Sequence, residues 1–168
     1  SSNRMVYWAF TENDSEGTDT SIAKGRLSDD EKKIENPAVI YRATPAKKGG
    51  AHFGGRVLFD KSGNLIFSTG DRGDKENRPL VQMLNTSLGK TFRITTEGKP
   101  AAGNPFEGQA DARAEVYSLG HRNPQGLALH PVTGELWEAE FGPKGGDELN
   151  RVVPGKNYGW PTITYGIE

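Results

Sequence analysis

Apolar residues in this chain come in short runs separated by glycine, proline and polar turns. The β-rich runs are Met5–Phe10, Ser21–Leu27, Ala38–Arg42, Arg56–Asp60, Leu65–Thr69, Gly89–Ile94, Val116–Ser118, Gly126–His130 and Glu135–Glu140. No window of a dozen residues keeps a helical period; the best helical candidate is the short Pro79–Leu84 segment. Short strands at regular spacing with turn signals between them predict an all-β sandwich, barrel or propeller.

A weak internal repeat separates these options. The stretch Gly55–Gly70 aligns with Gln125–Gly142. Each reads as a strand, a turn led by Asp60 or His130 and ending in glycine, a second strand and a glycine-containing exit. Repetition of one hairpin unit favours a β-propeller over a sandwich. The three runs from Met5 to Arg42 would make strands of another blade. The expected chain therefore holds two to three blades, with residues 1–168 forming part of a single propeller domain. Too few blades to close a ring would leave open strand edges, and the expectation is a fragment of a longer protein.

Composition narrows the chemistry. The formal charge is -1, with acidic and basic residues interleaved, so no nucleic-acid footprint is present. Cysteine is absent, which excludes disulfides and thiolate metal sites and leaves oxygen or imidazole ligands for any metal, a set suited to calcium. No apolar run approaches the ~20 residues of a membrane helix.

Two constellations carry candidate chemistry. His52 precedes one strand and Asp71 follows the next, so an antiparallel hairpin returns both to the same end. A carboxylate beside an imidazole fixes its tautomer, as a general base requires. On spacing alone, a loop histidine with ordinary turn glycines is the commoner outcome. The second constellation runs from Leu119 to Trp160. Arg122 offers a planar fork of donors, and Asn123 both donates and accepts. A Gly142-Pro143 turn could present carbonyls to calcium, with Glu148 adding a carboxylate; the alternative is a structural turn with Asp147 and Glu148 solvated. If the stretch is extended, His121 points away from Arg122 and is structural.

The order of motifs is more specific than either site. His-x-Gly-Gly-Arg (52–56), Thr-Gly-Asp-x-Gly (69–73), Gly-His-Arg-Asn-Pro-Gln-Gly (120–126), Gly-Pro-x-Gly-Gly-Asp-Glu (142–148) and Asn-Tyr-Gly-Trp-Pro (157–161) follow one another. This series resembles the soluble aldose sugar dehydrogenases of the glucose/sorbosone dehydrogenase family, six-bladed propellers that use pyrroloquinoline quinone (PQQ) and calcium. The resemblance covers nearly the whole chain. It implies oxidation of aldose sugars to lactones, an external electron acceptor and a periplasmic or secreted location.

By the same resemblance, His52 matches the catalytic base and Asp71 the carboxylate that supports it. Arg122 and Asn123 match PQQ contacts, with Arg122 stabilising charge on the quinone oxygen, and Gln125 would order the cofactor loop. Gly142 and Pro143 match carbonyl ligands of the calcium that touches PQQ. Glu148 and Tyr158 match a second calcium site, Tyr158 through its backbone oxygen. The family's basic residues that clamp the PQQ carboxylates, and an upstream glutamine, have no counterpart between Ser1 and Glu168. The rival class is a non-catalytic propeller binding a protein or glycan on its loop face. A calcium-dependent lactonase would need a carboxylate and amide cluster around one central metal, which the Arg122–Asn123 pair is not.

Overall fold

The computed structural model describes residues 3–167. Ten strands form three small antiparallel sheets. The first contains β1 (Met5–Asn13), β2 (Thr18–Leu27) and β3 (Ile34–Arg42), in that order. The second runs β4 (Val57–Phe59), β5 (Leu65–Thr69), β6 (Lys90–Ile94) and β7 (Val116–Leu119). The third holds β8 (Pro124–Leu129), β9 (Leu136–Glu140) and β10 (Glu148–Val152), with β9 in the middle. Helix among the described residues is confined to a 3-10 turn at Lys75–Asn77 and α1 (Arg78–Val81), both between β5 and β6. Among the described residues, no helix is long and apolar enough to cross a membrane.

The sheets stack through two cores, and β5 serves both. Side chains alternate across a strand. Leu65 and Phe67 join Ile22, Tyr41, Phe92, Ile94 and Val116 against the first sheet. Ile66 points the other way, onto Leu127, Leu136 and Val152 of the third. All five residues of β5 are buried, which explains its continuous apolar run. Phe67 and Phe92 stack with ring centroids 4.9 Å apart, and Tyr41 tilts against both. Burying each such ring contributes about 1.5–3 kcal/mol.

The internal repeat corresponds to two equivalent hairpins, β4–β5 and β8–β9, each paired in antiparallel register. Their turns use the same device with different side chains. The Asp60 carboxylate accepts from the amides of Ser62 and Asn64 at 2.8 and 2.9 Å. In the second turn the His130 ring nitrogen accepts from the Thr133 amide at 3.1 Å.

Two expectations need correction. The helical candidate Pro79–Leu84 shrinks to a single turn starting at Arg78. Strand β10 was not among the expected β-rich runs. Its Leu149 is exposed and its Glu148 and Asn150 half-buried, so apolar alternation could not reveal it.

Candidate functional site

The β4–β5 hairpin carries His52 and Asp71 to one end of the second sheet, as their spacing predicts. His52 Nδ1 lies 2.6 Å from Asp71 Oδ1. The imidazole side chain is 19 % exposed, whereas the Asp71 side chain is 1 % exposed. His52 adopts φ +52° and Arg72 φ +68°, a region L-residues occupy rarely and at some cost. The loop is held in that shape by Arg72. Its guanidinium lies 3.6 Å from the Phe53 ring centroid and donates to the carbonyls of Ala51 and Gly49 at 2.7 and 2.6 Å, and to Thr18 Oγ1.

Close approach at Gly70 completes the arrangement. A Cβ there would sit 2.1 Å from the His52 carbonyl oxygen and 3.1 Å from that of Arg122. Only glycine lets three backbone segments meet at this point.

Asp71 is the hub of the site. Its backbone N–H donates to the Arg122 carbonyl at 2.8 Å. Its Oδ1 accepts from the Gly73 amide at 2.8 Å and faces His52; its Oδ2 accepts from the Trp160 indole N–H at 2.8 Å. Trp160 is buried, and the guanidinium groups of Arg122 and Arg78 lie 5.2 and 5.1 Å from its ring. The two sequence constellations thus form one site.

Within the second constellation the predicted residues divide. Arg122 is half-buried, and its Nη1 donates to the carbonyls of Phe141 and Gly142 at 3.2 and 2.9 Å. Asn123 is buried, and its Oδ1 accepts from the Gly54 amide at 3.3 Å, bracing the His52 loop. Gln125 is exposed and lines a groove with Phe141, Asp147 and Glu148; among the described residues its side chain makes no hydrogen bond to that loop.

The Gly142–Pro143 turn is closed internally. The Pro143 carbonyl accepts from the Gly146 amide at 2.7 Å, and Asp147 Oδ1 accepts from the Gly142 amide at 2.9 Å. Asp147 is therefore a turn cap. Glu148 Oε2 accepts from Asn150 Nδ2 at 2.9 Å. The Tyr158 hydroxyl donates to the Arg151 carbonyl and accepts from the Val153 amide, at 2.6 and 2.8 Å.

Glu148 and Tyr158 flank a buried cluster that the sequence reading did not single out. His121 is wholly buried, with Nδ1 3.2 Å from Glu138 Oε1 and 3.1 Å from Glu140 Oε2, and Nε2 2.7 Å from Ser118 Oγ. Tyr158 stacks on its ring at 4.8 Å. Burial drives the His121 pKa down, but the carboxylates of Glu138 and Glu140 more than reverse this and bring it up to about 10. The imidazolium is the counter-ion of the two acids. Burial raises Glu140, whereas His121 overcomes burial to hold Glu138 low. Glu140 also accepts, through Oε1, from the Arg122 amide, so the cluster anchors the strand end from which the Gly142 turn departs. These three side chains could also gather around a metal, and both carboxylate oxygens of Glu138 are buried without a hydrogen-bond partner among the described residues.

Comparison with known proteins places this arrangement. The family model described as Glucose / Sorbosone dehydrogenase matches residues 1–168. The chain belongs to that family. It is 42 % identical over 165 residues to "Aldose sugar dehydrogenase YliI" of Escherichia coli K12, covering 98 % of this chain and 44 % of the relative. It is 34 % identical over 147 residues to "Quinoprotein glucose dehydrogenase B" of Acinetobacter calcoaceticus, covering 77 % of this chain and 30 % of the relative.

Among solved structures, one titled "glucose dehydrogenase" superposes with a TM-score of 0.94 at 49 % identity, over 99 % of this chain and 48 % of the other. The PQQ-bound aldose sugar dehydrogenase of Streptomyces coelicolor superposes with a TM-score of 0.82 at 38 % identity, over 96 % of this chain and 45 % of the other. The chain spans less than half the length of each of these relatives. Its fold is a stretch of β-propeller, and its three sheets are blades.

Proposed function

We propose that this chain carries the base and part of the cofactor pocket of a quinoprotein that oxidises aldose sugars to lactones. The observation that carries the reading is the His52–Asp71 pair at 2.6 Å beside the Arg122–Gly142 contact at 2.9 Å, in a family whose relatives include a PQQ-bound structure.

The residues present fit such a cofactor. Arg122 is a half-buried cation next to Asp71, suited to quinone oxygens and carboxylates. The carbonyls of Gly142 and Pro143 are hard ligands of the kind calcium takes, and each carbonyl has a second lone pair beyond its present hydrogen bond. Bound PQQ supplies a hydride acceptor, and bound calcium a Lewis acid.

The roles of the chain's own groups follow from their geometry. Asp71 accepts from Nδ1 of His52, which leaves Nε2 to take the proton of the sugar's anomeric hydroxyl. With that proton held on Nε2, the anomeric carbon could release its hydride to the bound quinone and become the lactone carbonyl carbon. Arg122 would present its guanidinium to the quinone's oxygens. Asn123 and Arg72 hold the His52 loop in register. Glu148 and the Tyr158 carbonyl are assigned to a second calcium site. The electrons would pass on to an external acceptor, and this reading assigns the protein to the periplasm or the outside of the cell.

The test is PQQ titration of the intact protein in the presence of calcium, followed by quinone absorbance, then aldose oxidation with an artificial electron acceptor. His52→Gln should retain most PQQ binding while kcat falls by at least about a hundredfold. Normal turnover in that variant sinks the base assignment. Failure to bind PQQ at all supports the non-catalytic propeller instead.

A further inference from the structure

Asp71 is a buried carboxylate whose two oxygens both require donors. Two of its donors have no acceptor capacity: the Gly73 amide on Oδ1 and the Trp160 indole on Oδ2, each at 2.8 Å. An indole N–H can only donate. A carboxylate can only accept, so the His52 hydrogen bond to it runs from Nδ1–H to Oδ1. That fixes the neutral imidazole in the Nδ1–H tautomer, with Nε2 bare.

Trp160 is itself locked from several sides. Its backbone N–H donates to the Gly120 carbonyl at 3.0 Å, and its carbonyl accepts from Gln82 Nε2 at 2.6 Å. Val81 and Leu88 pack with it. Packing alone would be served by any large aromatic ring. The indole N–H aimed at a carboxylate 89 residues away in the chain is what packing does not explain.

We propose that Trp160 is a positioning residue for His52: its N–H holds the Asp71 carboxylate in the one orientation that keeps His52 as the Nδ1–H tautomer. This rests on the reading of His52 as the base. Without the indole N–H, Oδ2 becomes an unsatisfied buried acceptor. The carboxylate then turns to seek another donor, and the Nδ1–H tautomer loses its preference.

The experiment uses two variants of the intact protein. Trp160→Phe keeps an aromatic ring for Val81, Leu88 and the arginines but removes the N–H. Replacement of Trp160 by 3-benzothienylalanine, an isostere with sulfur in place of N–H, keeps the full shape and guards against a folding defect in the first variant. The primary readout is ¹⁵N NMR of histidine-labelled protein without cofactor, with the His52 signals identified by their loss in His52→Gln. Wild type should show a bare Nε2, and both variants a tautomer mixture. In the loaded enzyme kcat should fall about tenfold, the effect of losing one hydrogen bond to a buried charge, while the sugar KM changes less than about twofold. An unchanged tautomer pattern in the isostere overturns the proposal, whether or not activity falls. Failure of the base assignment is a separate outcome: it appears as normal turnover in His52→Gln, whatever the Trp160 variants do.

Discussion

Gly70→Ala tests whether backbone crowding around Asp71 sets the position of His52. The added Cβ would lie 2.1 Å from the His52 carbonyl oxygen and 2.6 Å from its carbonyl carbon. Real Cβ contacts begin at about 3.0 Å, so one segment must move by about 1 Å. Residue 70 has little freedom to retreat, because its carbonyl accepts from the Gly89 amide at 3.0 Å and its neighbour Asp71 is tied to Arg122. The His52 loop is the side that yields. A shift of about 1 Å breaks the 3.3 Å bond from the Arg72 amide to the His52 carbonyl and stretches the 2.6 Å contact to Asp71. Overpacking of this kind costs about 1–3 kcal/mol of stability, and a misplacement of about 1 Å at a reacting group costs about a hundredfold in rate. Urea unfolding should therefore show a modest loss, while kcat falls on the order of a hundredfold with PQQ still bound. A variant with wild-type kcat would refute the argument that this contact positions the base. Loss of PQQ binding with kcat per bound cofactor unchanged would refute it too, because the contact would then serve the cofactor loop.

Two further perturbations address neighbouring groups. Lys90 is fully buried, its Nζ donates to the carbonyls of Val81 and Leu88 at 2.7 Å, and burial lowers its pKa to about 7. A base with a depressed folded pKa favours folding most above its unfolded value and loses that contribution as pH falls through about 7. His121 has the opposite sign: its contribution is full below about 6.5 and is lost as pH rises through about 10. The difference between wild type and Lys90→Met isolates the lysine. From pH 6.5 to 9 the wild-type Tm should gain on the variant by a few °C, and a constant difference by calorimetry would contradict the shift. For Arg122, the guanidinium 2.9 Å from the Gly142 carbonyl repels any cation at that oxygen's second lone pair. Arg122→Met should therefore bind calcium alone several-fold more tightly in a calorimetric titration, consistent with about 1 kcal/mol, while binding PQQ more weakly. Unchanged calcium affinity would count against Gly142 as a ligand.

Much of the fold was legible because its strands obey simple patterns. The continuous run Leu65–Thr69 reads as a strand buried on both faces, and β5 is buried throughout. The Asp60 and His130 turns revealed the repeat because each needs a side-chain acceptor at its first position. The third sheet was harder to read. On β9 it is Leu136, Glu138 and Glu140 that face inward, with Ala139 exposed. Apolar alternation assigns the opposite face to the glutamates, because nothing local announces that His121 will arrive to balance them. β10 escaped notice for a related reason, since it places polar residues beside that cluster.

The site divides along the same line. His52 and Asp71 could be paired from sequence because one hairpin sets their positions. Trp160 could not, since its N–H reaches Asp71 only after a whole further blade has been laid down. A sequence motif records which residues recur, and the geometry records what they touch.

The consequence is mechanical as well as chemical. Asp71 binds His52 through its side chain and Arg122 through its backbone, at 2.6 and 2.8 Å respectively. Trp160 touches the same carboxylate with its N–H and lies beside Arg122 with its ring. Arg122 in turn holds the Gly142 carbonyl. The Gly142 turn is therefore linked to His52 through two routes that meet at one buried carboxylate. Sites held by such a supporting shell keep their reacting groups within fractions of an ångström. His52 and Arg122 sit on different blades, so their relative placement depends on how the blades stack. Asp71, just past the end of β5, is bonded to both residues directly, and this makes the distance between them a property of the β5 strand end.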